Sequence, residues 1–177
     1  MRAKAAFMKN ACALLLFFAL AAPAYAATPA PQAQQQQASV AVTGWRLECD
    51  PMKSSLLCHA RDQILQSGSG ALIIGFDLTP APDGKTNLTV NVPLGTSVRT
   101  PVVVSIGGPS QNFSFLTCSQ QGCFATGVIN GDLLAAMRAG KGDMKVTYAI
   151  LDNNLGEHAV TASLSLAGFS EVYDRLK

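Results

Sequence analysis

The sequence predicts a mainly β protein folded as an antiparallel β-sandwich, and three observations carry that prediction. From Ser39 onward, short runs of alternating apolar and polar residues are separated by turn residues. Four of the five cysteines fall as two close pairs, Cys49 with Cys58 and Cys118 with Cys123. Helical periodicity is confined to two short segments, near 132–140 and near 169–176. Alternation with a period of two places successive side chains on opposite faces of a strand, so such runs bury one face and solvate the other.

Trp45, Leu47 and Cys49 share one face of the first such run, opposite Arg46, Glu48 and Asp50. Leu88, Val90 and Val92 alternate with Asn87, Thr89 and Asn91, directly after the turn sequence Pro82-Asp83-Gly84-Lys85. Val146, Tyr148 and Ile150 alternate with Lys145, Thr147 and Ala149; Asp152-Asn153-Asn154 and Gly156 then turn the chain before Val160, Ala162, Leu164 and Leu166. The runs from Leu72 to Leu78 and from Val102 to Ile106 are more continuously apolar, the pattern of strands near the middle of a sandwich.

In the first helical segment Asp132 is the expected N-cap for Leu133 to Ala139, and Gly140 is placed to end the helix in the left-handed conformation. In the second, Phe169, Val172, Tyr173 and Leu176 recur at helical spacing after Gly168. That stripe needs an apolar surface to cover, and the open end of the sandwich supplies one.

The N-terminus reads as a secretory signal. Arg2, Lys4 and Lys9 precede an apolar run from Ala11 to Ala22, and Pro23-Ala24-Tyr25-Ala26 ends it with the small residues that place cleavage after Ala26. The run is shorter than the roughly 20 apolar residues of a spanning helix, and no second one follows, so no transmembrane anchor is expected in the mature chain. Residues 27–38, a Pro/Ala/Gln-rich stretch with little apolar content, are expected to be a disordered leader. Residues 39–177 then form a single β-sandwich domain, of a size that buries about two-thirds of its unfolded surface. The 13 basic and 11 acidic residues of the chain come close to balance once Arg2, Lys4 and Lys9 leave with the signal. A near-neutral domain has no electrostatic basis for binding nucleic acid.

Export carries the chain into an oxidising compartment, where close cysteine pairs are read as disulfides. Spacing favours Cys49–Cys58 and Cys118–Cys123 among the three pairings that four cysteines allow. The second pair brackets Ser119-Gln120-Gln121-Gly122, and its members face each other if Phe113–Cys118 and Cys123–Val128 form a hairpin. Two other chemistries compete. Thiol–disulfide exchange prefers a tighter Cys-x-x-Cys beside cations, and no Lys or Arg neighbours the second pair. Zinc would need reduced thiols at closer spacing than the first pair offers.

The chain has only two histidines, His59 and His158. His59 follows Cys58 and so faces outward beside Arg61; with Asp62, or Asp50, also near in sequence, and a serine it composes the alternative site of an exported hydrolase. No Gly-x-Ser-x-Gly elbow supports that nucleophile. Gly107-Gly108-Pro109-Ser110 lacks the spacing that cradles phosphate, and Asp50, Asp77 and Asp83 read as turn or surface acids.

Taken in order, several of these pieces resemble one family. They are Trp45 with Cys49, Cys58 followed by Asp62-Gln63, Val92-Pro93-Leu94-Gly95, Thr117-Cys118 to Gly122-Cys123, the Leu134 to Gly140 turn, and the closing Leu166 to Leu176 segment with Gly168-Phe169. The combination of Pro-Leu-Gly, Cys-x-x-Gln-Gly-Cys and a late Gly-Phe is similar to the invasion-associated locus B family of bacterial exported proteins. The resemblance implies an immunoglobulin-like β-sandwich of the periplasm or cell surface, associated in some bacteria with entry into host cells. It implies no cofactor and supplies no catalytic residues.

The expectation is therefore an exported, disulfide-stapled, non-enzymatic module of the cell envelope: periplasmic, cell-surface or secreted, and binding an unidentified protein or other envelope component. The alternative is an exported hydrolase at His59 and Asp62, or a thiol–disulfide protein at Cys118 and Cys123.

Overall fold

The structure, a computed structural model, describes residues 40–42, 44–51 and 56–176. The expected signal peptide, its cleavage after Ala26 and the leader lie outside the described residues. Strands β1 (Val40–Val42), β2 (Arg46–Pro51), β3 (Leu56–Gln66), β4 (Leu72–Pro80) and β5 (Thr86–Val92) come first. They are followed by β6 (Val102–Ser105), β7 (Ser110–Ser119), β8 (Gly122–Val128), helix α1 (Gly131–Ala139), β9 (Asp143–Leu151), β10 (Glu157–Ser165) and helix α2 (Phe169–Leu176).

All pairings are antiparallel and follow the order β1-β3-β4-β5-β8-β7-β6-β9-β10, with β2 on β3. The ten strands curl into the two layers of a sandwich because β7 belongs to both. Its first part pairs with β6, from Ser110↔Ser105 to Phe113↔Val102, and its second with β8, from Ser114↔Thr126 to Ser119↔Gly122. A register shift between Phe115 and Thr117 leaves Leu116 73% exposed. Bulges of this kind bend a strand and let it turn from one layer to the next.

The alternating pattern of the sequence becomes the core. Ile74, Phe76 and Leu78 of β4 and Leu88, Val90 and Val92 of β5 point inward from the first layer. Val102 and Val104 of β6 and Met144, Val146 and Tyr148 of β9 meet them from the second. The mainly β sandwich expected from the sequence is the fold observed.

Both outer edges of the curled sheet approach each other at one end. Gly44, with φ of 81°, breaks the edge between β1 and β2 and leads into Trp45, which is buried. Its indole Nε1 donates to the carbonyl of Ser165 at the end of β10, 3.1 Å away. Phe169 of α2 packs edge-on against Trp45 with ring centroids 4.7 Å apart and stacks on Tyr173 at 5.5 Å. The Tyr173 hydroxyl shares a hydrogen bond with Thr86 Oγ1 at 2.7 Å. The C-terminal helix thus closes the open end, as its apolar stripe requires.

The first helix corrects one expectation. Asn130, not Asp132, is the N-cap: its backbone is extended and its side chain accepts from Leu133 N at 2.8 Å. Asp132 lies in the first turn instead, where a carboxylate favours the positive end of the helix dipole. Gly140 ends the helix at φ 61°, in the left-handed conformation.

Candidate functional site

The outer face of the first layer carries the densest polar cluster of the described residues, and the register of β2 on β3 creates it. Cys49 opposes Cys58, and the two are disulfide-bonded with Cα atoms 3.9 Å apart. Cys58 packs half-buried against the core while Cys49 is exposed, and their neighbours project from the other face: Glu48 lies opposite His59, and Arg46 opposite Arg61. The next strand adds Asp77 opposite Arg61.

Arg61 binds two carboxylates from two strands. Its Nη1 donates to Glu48 Oε2 at 2.8 Å, and its Nε and Nη2 both donate to Asp77 Oδ2. Hydrogen bonding to Asp77, reinforced by the charges of Asp77, Glu48 and Asp50 and opposed by burial, holds the guanidinium above its ordinary pKa. Arg46 Nε donates to Glu48 Oε1. His59 is only 12% exposed, with Nδ1 at 2.9 Å from Asp77 Oδ1 and Nε2 at 3.5 Å from Asp50 Oδ2. Half-exposed pairs of this sort contribute about 1 kcal/mol or less each to stability. Their larger consequence is to fix several charged side chains on a rigid sheet.

Beside the cluster, Gly75 of β4 lacks a side chain between Gln63 of β3 and Asn91 of β5, its cross-strand neighbours. A shallow cavity of about 220 Å³ opens there, lined by Arg61, Gln63, Leu72, Asn91, Gln121 and Phe124 among others. It is smaller than the about 300–1,000 Å³ of sites for drug-sized ligands and suits one side chain or one ring. Its mix of amide, charged and aromatic groups offers both hydrogen bonds and an apolar contact. Asn91 Nδ2 donates to Gln121 O at 3.5 Å, which ties the floor to the β7–β8 hairpin.

That hairpin holds the second disulfide. Cys118 and Cys123 are directly opposed and bonded, with Cα atoms 4.0 Å apart, and Cys123 is 3% exposed. Gly122 has φ 126°, and a Cβ there would lie 2.5 Å from both Asn91 Oδ1 and Val92 O. Glycine is required for β8 to approach β5 so closely.

His59 and Asp62 do not form the pair that a hydrolase would need. They project from opposite faces of β3: His59 outward, and Asp62 inward and fully buried opposite Phe76. Asp62 Oδ1 accepts from Gln63 N at 2.7 Å. The carboxylates that flank His59 are those of Asp77, whose pattern in the sequence reads as an ordinary acid, and Asp50, the other of its two neighbours in the sequence. His158 is exposed at a turn, its Nε2 at 2.9 Å from Asp152 Oδ2. Among the described residues, no group of three or more His, Cys, Asp or Glu side chains is placed to hold a metal ion, and no helix is long and apolar enough to cross a membrane.

Part of the cluster was legible. Once Cys49 and Cys58 are paired, the register pairs Glu48 with His59 and Arg46 with Arg61. Asp77 was not, because its position depends on the β3–β4 register, which shifts between Ile64 and Leu65.

Known proteins resemble this chain in sequence and in fold. Residues 45–177 match the family model described as Invasion associated locus B (IalB) protein. Invasion protein B homologues of Brucella abortus (strain 2308) and Brucella abortus biovar 1 (strain 9-941) are each 26% identical over 136 residues, covering 75% of this chain and 75% of theirs. The crystal structure of invasion associated protein b from Bartonella henselae aligns with a TM-score of 0.66 at 24% identity, covering 75% of this chain and 89% of that one. This last likeness bears on the fold.

Proposed function

The chain belongs to the invasion-associated locus B family, and from that premise we propose that it is an exported, non-enzymatic binding module of the cell envelope. Residues 1–26 act as the secretory signal, removed after Ala26, and residues 27–38 as a leader ahead of a single domain at 39–177. Its working place is the periplasm, or beyond it the cell surface or medium. The two disulfides support an oxidising compartment. Its partner is a protein or other envelope component, and the relatives' names, invasion protein B homologues, suggest that some members meet host cells.

The observation that carries this reading is the outer-face cluster around Arg61 with its adjoining cavity. Residues fixed on a rigid sheet, with Arg at the centre of a hydrogen-bonded network beside an amide-and-aromatic hollow, make a recognition surface. The environment of His59 disfavours a hydrolase, because both ring nitrogens are turned toward carboxylates and, among the described residues, neither bonds a serine hydroxyl. Crosslinking in intact cells, followed by recovery of the tagged protein, tests the proposal. Wild-type protein should retain a defined partner that Arg61→Ala loses while keeping its thermal stability within about 1 kcal/mol. Equal recovery by both proteins would remove the outer face from the account.

A further inference from the structure

β10 is the last strand of the sheet order, and among the described residues it pairs only with β9. Which of its backbone groups face outward follows from β9. On the side of β9 away from β10, Ser97 N donates to Ala149 O at 2.7 Å and Leu151 N donates to Gly95 O at 2.9 Å. In an antiparallel ladder the N–H and C=O of one residue point to one side and those of the next residue to the other. Met144, Val146, Tyr148 and Ile150 therefore bond β10, through their register partners Leu164, Ala162, Val160 and His158. The backbone groups of Ala159, Thr161 and Ser163 point away from the sheet. The carbonyl of Ser165, next in the same alternation, does point outward and accepts from Trp45.

Exposed edges are ordinarily guarded by charge, proline or a bulge. From Ala159 to Ser165 β10 has none: the segment reads AVTASLS, and its register with β9 is continuous. Ala159, Thr161 and Ser163 are exposed and small, so a second strand meets no bulky obstacle.

We infer that β10 is a pairing edge, and that its occupant is β10 of a second copy of this chain, antiparallel, with the twofold axis at Thr161. The segment is complementary to itself about that residue. Thr161 meets its own equivalent, Ala159 meets Ser163 of the second copy, and His158 meets Leu164, so no like charges are opposed. The outward-facing residues fall on hydrogen-bonded positions, which gives about six backbone hydrogen bonds across the axis. Such an interface is isologous and closes at two copies. Having few large apolar side chains, it belongs to the weak end of specific interfaces.

Sedimentation of the purified protein over a range of concentrations tests this. The wild-type mass should rise from monomer toward dimer. Thr161→Lys sets two ammonium groups against each other at the axis and should weaken association about fivefold. An equal mixture of Thr161→Lys and Thr161→Glu should recover association as a mixed dimer, which a misfolded variant would not do. A wild-type protein that stays monomeric overturns the proposal, as does a dimer indifferent to Thr161→Lys or a mixture no better than its components.

Discussion

At one end of the curled sheet β2 pairs with six residues of β3, is tied to it by Cys49–Cys58, and turns Arg46, Glu48 and Asp50 outward. At the other end β10 pairs with all nine residues of β9 and shows no charge from Ala159 to Ser165. The first edge is short, covalently held and charged, and the second is long, regular and without a covalent tie. Charge and brevity are what keep a sheet edge from pairing with another. The contrast separates two kinds of contact: side-chain recognition on the charged flank, and backbone pairing on the neutral one.

The two edges depend on a shared closure, and removing it should have the largest effect. Phe169 is fully buried against Trp45, whose indole links the start of β2 to the end of β10. Phe169→Ala should cost about 3–5 kcal/mol, read as a fall in the denaturation midpoint. A loss under about 1 kcal/mol would mean that the aromatic seam does not join the edges.

Replacing Cys49 and Cys58 together by alanine separates the edges more selectively. The bond closes a short loop, so its removal should cost about 2–3 kcal/mol. Amide exchange should quicken in β2 and the facing half of β3, while β9 and β10 keep their protection at matched global stability. Uniform loosening would show that the charged edge has no local dependence on its disulfide.

The smallest effect concerns the neutral side. Glu157, at the start of β10, accepts from Ser97 Oγ and from Thr100 Oγ1, the latter at 2.8 Å. The bond from Ser97 first, and then that from Thr100, hold its carboxyl below the ordinary value. A lowered carboxylate favours the folded form at pH above its unfolded pKa, and that contribution disappears as pH falls through the folded value. Resonances of Ser97 and Thr100 should therefore stay constant from neutrality through the ordinary glutamate range and move only below it. Glu157→Gln should abolish that step, and a step within the ordinary range would contradict the strap.

Much of this contrast was readable from the chain, because local alternation sets strands and faces. The cysteine spacing carried the β2–β3 register, and with it the juxtaposition of Glu48 and His59. Asp77 escaped because a register shift intervenes between the β3–β4 turn and its partner Arg61. The cap of α1 was misplaced by two residues because Asn130 and Asp132 are both good capping residues, and only the path of the chain leaving β8 chooses between them. That β10 ends the sheet was not legible at all: edge status is a property of strand order, and the AVTASLS segment would look the same in the interior.

The most direct test of the division between the edges compares Arg61→Ala and Thr161→Lys in two assays, partner crosslinking in cells and self-association in solution. The account predicts a crossed result. Arg61→Ala should lose the crosslinked partner and dimerise as the wild type does, whereas Thr161→Lys should keep the partner and dimerise more weakly. One variant abolishing both activities, or Arg61→Ala retaining its partner, would contradict it.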